Sequence, residues 1–145
     1  MIPAIIARLR IEVPGLMGRV AGLGSLAALT AQDAVPTLTP CAHVTPSFIR
    51  APKGPSTLSG SYIQTIERGY AVFLSLRTHD PNGARVLDDA AALIDAIILA
   101  IAGWEPAPQS IGAFVFGHAV LRTLDRGVAI YEIAFSLSDQ LRIST

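Results

Sequence analysis

The longest apolar stretch of this chain, Ala90 to Gly103, is broken by Asp95. No run reaches the roughly 20 apolar residues a helix needs to cross a bilayer. The apolar surface must therefore be buried inside a globule or against other subunits. That demand is severe, because 51% of 145 residues are hydrophobic, 15% are charged and the formal net charge is zero. A domain of this size still exposes roughly 30% of the surface its unfolded chain would show. A neutral, charge-poor exterior favours self-association, so the composition points to one subunit of an assembly. A compact apolar enzyme would share these numbers, and only motifs can separate the two.

The length fits one domain, 1–145. Eleven basic residues balance eleven acidic ones, which gives no basis for avid binding to nucleic acid or an anionic membrane. Cys41 is the one cysteine, so no intrachain disulfide forms and a reducing compartment is expected. Met1-Ile2-Pro3-Ala4 lacks the basic n-region of a signal peptide, and synthesis in the cytoplasm is the expectation.

Periodicity outlines the elements. Ile2, Ile5, Ile6 and Leu9 recur at helical spacing, with Pro3 in the first turn and Pro14-Gly15 as the stop. A short strand near Arg19–Ala21 and a helix capped by Ser25 are expected next. From Ala42 to Arg50 the chain reads as a strand, and Pro46 places it at a sheet edge or on a bulge. The segment Ala51–Ser61, with Pro52, Gly54, Pro55 and Gly60, reads as an exposed, mobile loop. Tyr70, Val72, Leu74 and Leu76 alternate against Ala71, Phe73, Ser75 and Arg77, with Gly69 as a natural bulge in that run. Asp80-Pro81 reads as the cap of the main helix. Its stripe is Leu87, Ala90, Leu93, Ile94, Ile97, Ile98 and Ile101, and Gly103 is its stop. A hairpin follows, Ile111–Thr123 and Val128–Ser138, turning at Leu124–Gly127. The expected fold is α+β: a largely antiparallel sheet of four to five strands with two main helices on one face.

Chemical motifs are sparse. Gly22-Leu23-Gly24-Ser25-Leu26-Ala27 has the loose spacing of a dinucleotide loop. It lacks both a long preceding strand and an acid about 20 residues on, so a turn before a short helix is the better reading. Cys41-x-His43, His79-Asp80 and His118 do not reach the four ligands of a structural metal site. His118 is in phase with Phe114, Phe116 and Val120 and reads as the cap of an apolar face. No G-x-S-x-G elbow is present, and Asp88 and Asp89 read as early-turn stabilisers of the main helix. No catalytic, cofactor-binding or metal-binding residue is assigned, and no cofactor is expected.

Whole-chain order adds a resemblance. The residues that carry it are Ile2-Pro3-Ala4-Ile5-Ile6-Ala7-Arg8-Leu9, Val20-Ala21-Gly22-Leu23 running into Leu26-Ala27-Ala28-Leu29, and Pro40-Cys41-Ala42-His43-Val44. Later come Glu67-Arg68-Gly69-Tyr70, the helix Ala84–Trp104 running into Glu105-Pro106, and Ile133-Ala134-Phe135-Ser136-Leu137-Ser138-Asp139-Gln140-Leu141. In these the chain resembles the tail terminator proteins of long-tailed phages, including versions in prophages and gene-transfer particles. The resemblance implies a non-enzymatic virion protein made in the host cytoplasm and placed at the neck end of the tail. It implies a ring, commonly of six subunits, that ends tube polymerisation and joins the tail tube to the head connector. DNA would pass through the lumen without sequence-specific binding, and no membrane is involved. A head-completion or tail-tube subunit, or a small ligand-binding domain, are the alternatives. The unpaired edge Val44–Arg50 and the following loop are the expected contacts with the next subunit, represented by Val44, Phe48, Arg50 and Lys53.

Overall fold

The computed structural model of the chain describes residues 1–22, 24, 36, 38–57, 60–77, 84–106 and 111–144. The expected Ser25 cap, the G-x-G-x-x-A segment beyond Gly24, His79 and the Asp80-Pro81 cap lie outside the described residues. Helix α1 spans Ile2–Glu12, followed by a single 3₁₀ turn, Pro14–Leu16. Then come strands β1 (Val20–Gly22), β2 (Cys41–Arg50) and β3 (Ser61–Arg77). Helix α2 (Ala84–Ile101) precedes β4 (Ile111–Asp125) and β5 (Val128–Ser144). The strands form one sheet in the order β1-β2-β3-β5-β4. Only β1 and β2 run parallel. The α+β architecture expected from periodicity is the one observed.

The helices form where apolar residues recur once per turn, and they bury that stripe. Ile5 and Leu9 of α1 are fully buried, with Ile2 and Ile6 packed at the margin. Ile97 and Ile101 of α2 are inaccessible, flanked by Leu93, Ile94 and Ile98. Both stripes enter one core with Val44, Val72, Leu74, Ile133, Phe135 and Leu137, which stand on a single face of the sheet. Helix α2 stops where Gly103 takes a positive φ of 80°, the left-handed conformation common after a last helical turn.

Three irregularities correct the simple alternation. Gly69 carries no bulge; the extra residue is Ser47 in β2, where pairing jumps from Pro46↔Tyr70 to Phe48↔Gly69. A Cβ on Gly69 would sit 2.2 Å from the Phe48 ring, so the glycine is there for close approach across the strands. In β4 the register jumps between Phe116 and His118. The extra residue, Gly117, changes the phase, so His118 opposes Ala134 on the face away from the helices, while Phe116 opposes Phe135 of the core. His118 is therefore exposed and does not cap the face that holds Phe114. Lastly, the hairpin turns at Arg126-Gly127, both at positive φ (50° and 75°), and β5 runs on to Ser144, past the expected end at Ser138. Two positive φ values in a two-residue loop match the right-handed twist of the flanking strands.

Two substitutions test this packing. Ile97→Ala should lower unfolding free energy by about 2–5 kcal/mol in urea titration; a loss under about 0.5 kcal/mol would contradict the core assignment. Gly69→Ala should destabilise the native chain but cost markedly less once Phe48 is also Ala. A double-mutant cycle should thus show coupling of about 0.5 kcal/mol or more.

Candidate functional site

Among the described residues the buried polar side chains, His43, Thr45 and Ser75, lie on β2 and β3. Cys41 and His43 point to the face of β2 away from the helices, on either side of Ala42, with Ser75 of β3 opposite Cys41. Burial raises the Cys41 thiol above its usual range, with Ser75 and Arg19 acting weakly the other way. Burial lowers the His43 imidazole, and among the described residues its Nδ1 has no hydrogen-bond partner. A raised thiol beside a depressed imidazole is the reverse of a thiolate–imidazolium pair. A cavity of about 300 Å³ lies alongside, lined by Val20, Ala21, Pro36, Leu38, Cys41 and His43 among others. Arg19 clamps the entry to β2, donating from Nε to the Pro40 carbonyl at 2.9 Å and from Nη2 to that of Thr39 at 3.1 Å. Among the described residues no three His, Cys, Asp or Glu side chains converge as a metal site, and no helix is long and apolar enough to cross a membrane.

Surfaces carry more information. The last pairing of β2 with β3 is Arg50↔Glu67, and that of β4 with β5 is Ile111↔Ser138. Beyond these, the only sheet strand that residues 61–66 pair with among the described residues is the 139–144 end of β5, from Ser61↔Ser144 to Ile66↔Asp139. They form a two-stranded arm that extends past the rest of the sheet. Arg68 and Asp139 join its strands at the base at 3.2 Å. The segment after β2 folds along it: Ser56 and Ile63 exchange both backbone hydrogen bonds at 2.7 and 2.9 Å. Gln64 Nε2 also donates to the Lys53 carbonyl at 3.1 Å. The Ala51–Thr57 stretch is exposed, as expected for this loop.

The four residues read from the sequence as contacts are placed differently by the fold. Val44 is 1% exposed in the core, paired with Val72 on one side and Gly22 on the other, so its side chain offers nothing to a neighbour. The free edge of β2 begins only after Val44, because β1 covers Ala42 to Val44. Phe48 is half-buried over Gly69. The Arg50 guanidinium lies 4.7 Å over its ring and grips both carboxylate oxygens of Glu67 at 3.2 and 3.1 Å. Those hydrogen bonds hold the Glu67 carboxyl below its usual range. Lys53 is exposed, and among the described residues it faces no acid.

Strand β4 was not singled out by sequence reasoning. It is the far edge of the sheet, and every residue from Val115 to Asp125 is exposed. Val115 (61%) and Leu124 (64%) are bare, and Phe116, Val120 and Leu121 are partly so. The signal was available: Val115-Phe116 and Ala119-Val120-Leu121 put apolar residues on both faces, a pattern solvent on either side does not favour. Phe114 alone turns inward. It stacks on Trp104 with ring centroids 5.7 Å apart, and its backbone bonds to Gly103 and Trp104.

Comparison with known proteins followed from this geometry. A family model described as "Phage tail terminator protein" matches residues 1–145. Among solved structures, a chain from "Virion of native gene transfer agent (GTA) particle" is similar in fold, with a TM-score of 0.53 at 16% identity. That match covers 97% of this chain and 95% of the other. A search of curated proteins finds no match.

The buried imidazole gives a pH prediction. The folded pKa of His43 lies below that of the unfolded chain, so the unfolded state binds the extra proton first. Stability should therefore hold above about pH 6.5 and fall as pH drops below it. Urea midpoints measured between pH 7.5 and pH 5 should decline, and His43→Gln should flatten that decline relative to wild type. An equal slope in both would exclude His43 as its source.

Proposed function

The chain belongs to the phage tail terminator family, a class of structural virion proteins rather than enzymes, and from that premise we propose that it caps the tail tube as a closed ring of identical subunits. The observation that supports this best is the match over the whole chain, joined to an exposed, largely apolar stretch of β4 from Val115 to Asp125 and an arm that extends past the rest of the sheet. The ring is hexameric in this reading and acts as a single domain per subunit. It sits at the neck end of the tail, ends tube polymerisation and meets the head connector. DNA crosses the lumen past it without base recognition. A terminator has to close: head-to-tail contacts between identical subunits end in a ring when the rotation permits, and otherwise grow into a filament.

The wide apolar edge also accounts for the composition. A chain with 15% charged residues and zero net charge keeps such an edge soluble most simply by covering it. The test is to delete the gene in a producing strain and image the particles. Overlong or headless tails are expected. Tails of normal length still joined to heads would sink the assignment.

A further inference from the structure

We propose that the arm of one subunit docks on the outward face of α2 in the next copy, which makes this the subunit–subunit contact of the ring. The inference rests on the ring reading above and adds the surfaces that make it.

The two surfaces are complementary within one chain yet have no reason to meet inside it. The outward line of α2 is Asp88, Ala92, Asp95 and Leu99, spaced i, i+4, i+7 and i+11, and all four are exposed. Leu99 is the barest large apolar side chain described, at 81%. Among the described residues Asp88 and Asp95 have no cationic partner, nor does the neighbouring Asp89. A helix face of small residues around one bare leucine is a flat apolar seat with an acidic border. Left to solvent, its leucine forgoes the burial that an apolar side chain favours.

The arm, with the loop seated on it, leaves its cations unpaired. The Asp139 carboxylate at its base is taken by Arg68, whereas Arg142 of the arm and Lys53 of the seated loop face no acid among the described residues; Arg142 donates to Gln140 Oε1 at 2.5 Å. The arm also carries bare apolar side chains, Ile143 at 49% and Leu141 at 38%, and Ile49 of β2, beside its base, is 64% exposed. A two-stranded ribbon free of the sheet on both sides is marginal alone, and docking gives it a third surface. The seat and the arm are different patches, so the contact is heterologous, as a ring requires. A two-fold dimer would need one self-complementary patch, and both faces here repel their own kind in charge. The cations and aspartates would fix register and partner, and the apolar side chains would supply the affinity.

The test is charge reversal read by mass photometry and electron microscopy of the full chain, with circular dichroism confirming the fold. Asp88→Lys with Asp95→Lys should raise the concentration needed for rings at least about tenfold, since like charges then face each other. Lys53→Asp with Arg142→Asp should do the same. The four changes combined in one chain should restore assembly, because the complementarity is inverted but kept. Rings that form unchanged in both double variants would overturn this interface while leaving the ring reading intact. So would a quadruple variant no better than either double. A wild-type chain that stays monomeric at all concentrations, and yields no ring at the tail end in particles, would remove both.

Discussion

The structure depends on one strand pair. β3 and β5 meet along their full lengths, from Ser61↔Ser144 to Arg77↔Val128; β2, β4 and α2 attach to that ribbon directly, and β1 and α1 join through β2 and α2. Its middle supplies the core face, Tyr70, Val72 and Leu74 opposite Phe135, Ile133 and Tyr131, on which α2 lies. One end runs on alone as the arm. Cross-strand pairs are the unit of sheet stabilisation, and an unbroken register over 17 residues lets a small chain project structure beyond its core without a second domain to support it. The cost is long-range pairing across about 70 residues of sequence, with the slow closure that non-local contacts bring.

Much of this was legible in the sequence because periodicity reports burial. The α2 stripe and the Tyr70–Leu76 alternation each specified a face, and both faces entered the same core. What the pattern could not report was phase. Ser47 and Gly117 each add one residue to a strand, and a one-residue slip sends every following side chain to the other face. His118 was misplaced for that reason alone. Gly69 shows the related limit: a glycine in a strand marks a bulge or a close approach, and only the position of Phe48 distinguishes them.

The surface was less legible than the core, again for a physical reason. An edge is defined by what does not pair with it, and a sequence lists no absences. The strand through Val44–Arg50 was read as lying at a sheet edge or carrying a bulge; the bulge is present at Ser47, while β1 is the edge strand and covers the first part of β2, where Val44 faces inward. Strand β4 was read as half of a hairpin, and nothing in a hairpin signal says that its outer side stays open. The exposed loop was identified from its prolines and glycines, but its seating on the arm through Ser56 and Gln64 depends on β3 starting at Ser61, nine residues before the clearest strand signal at Tyr70.

The irregular strands also bear on how such a chain avoids uncontrolled growth. An exposed, largely apolar edge such as Val115–Asp125 is a template for indefinite strand pairing. Here β4 departs from regular register at three places, between Ile111 and Val115, Phe116 and His118, and Leu121 and Thr123. Each bulge bends the strand and increases its twist, so a second β4 laid against it could keep hydrogen-bond register for only a few residues. On the other side of the sheet the edge strand β1 is only three residues long, and β2 beyond it carries Pro46, which has no donor. Neither side is thus a good partner for endless edge-to-edge addition. Association through side chains from a projecting arm onto a helix face has a fixed geometry and a single register. In the ring proposed above, a subunit that stops a polymer would need that combination: adhesive side chains on a backbone that discourages continuation.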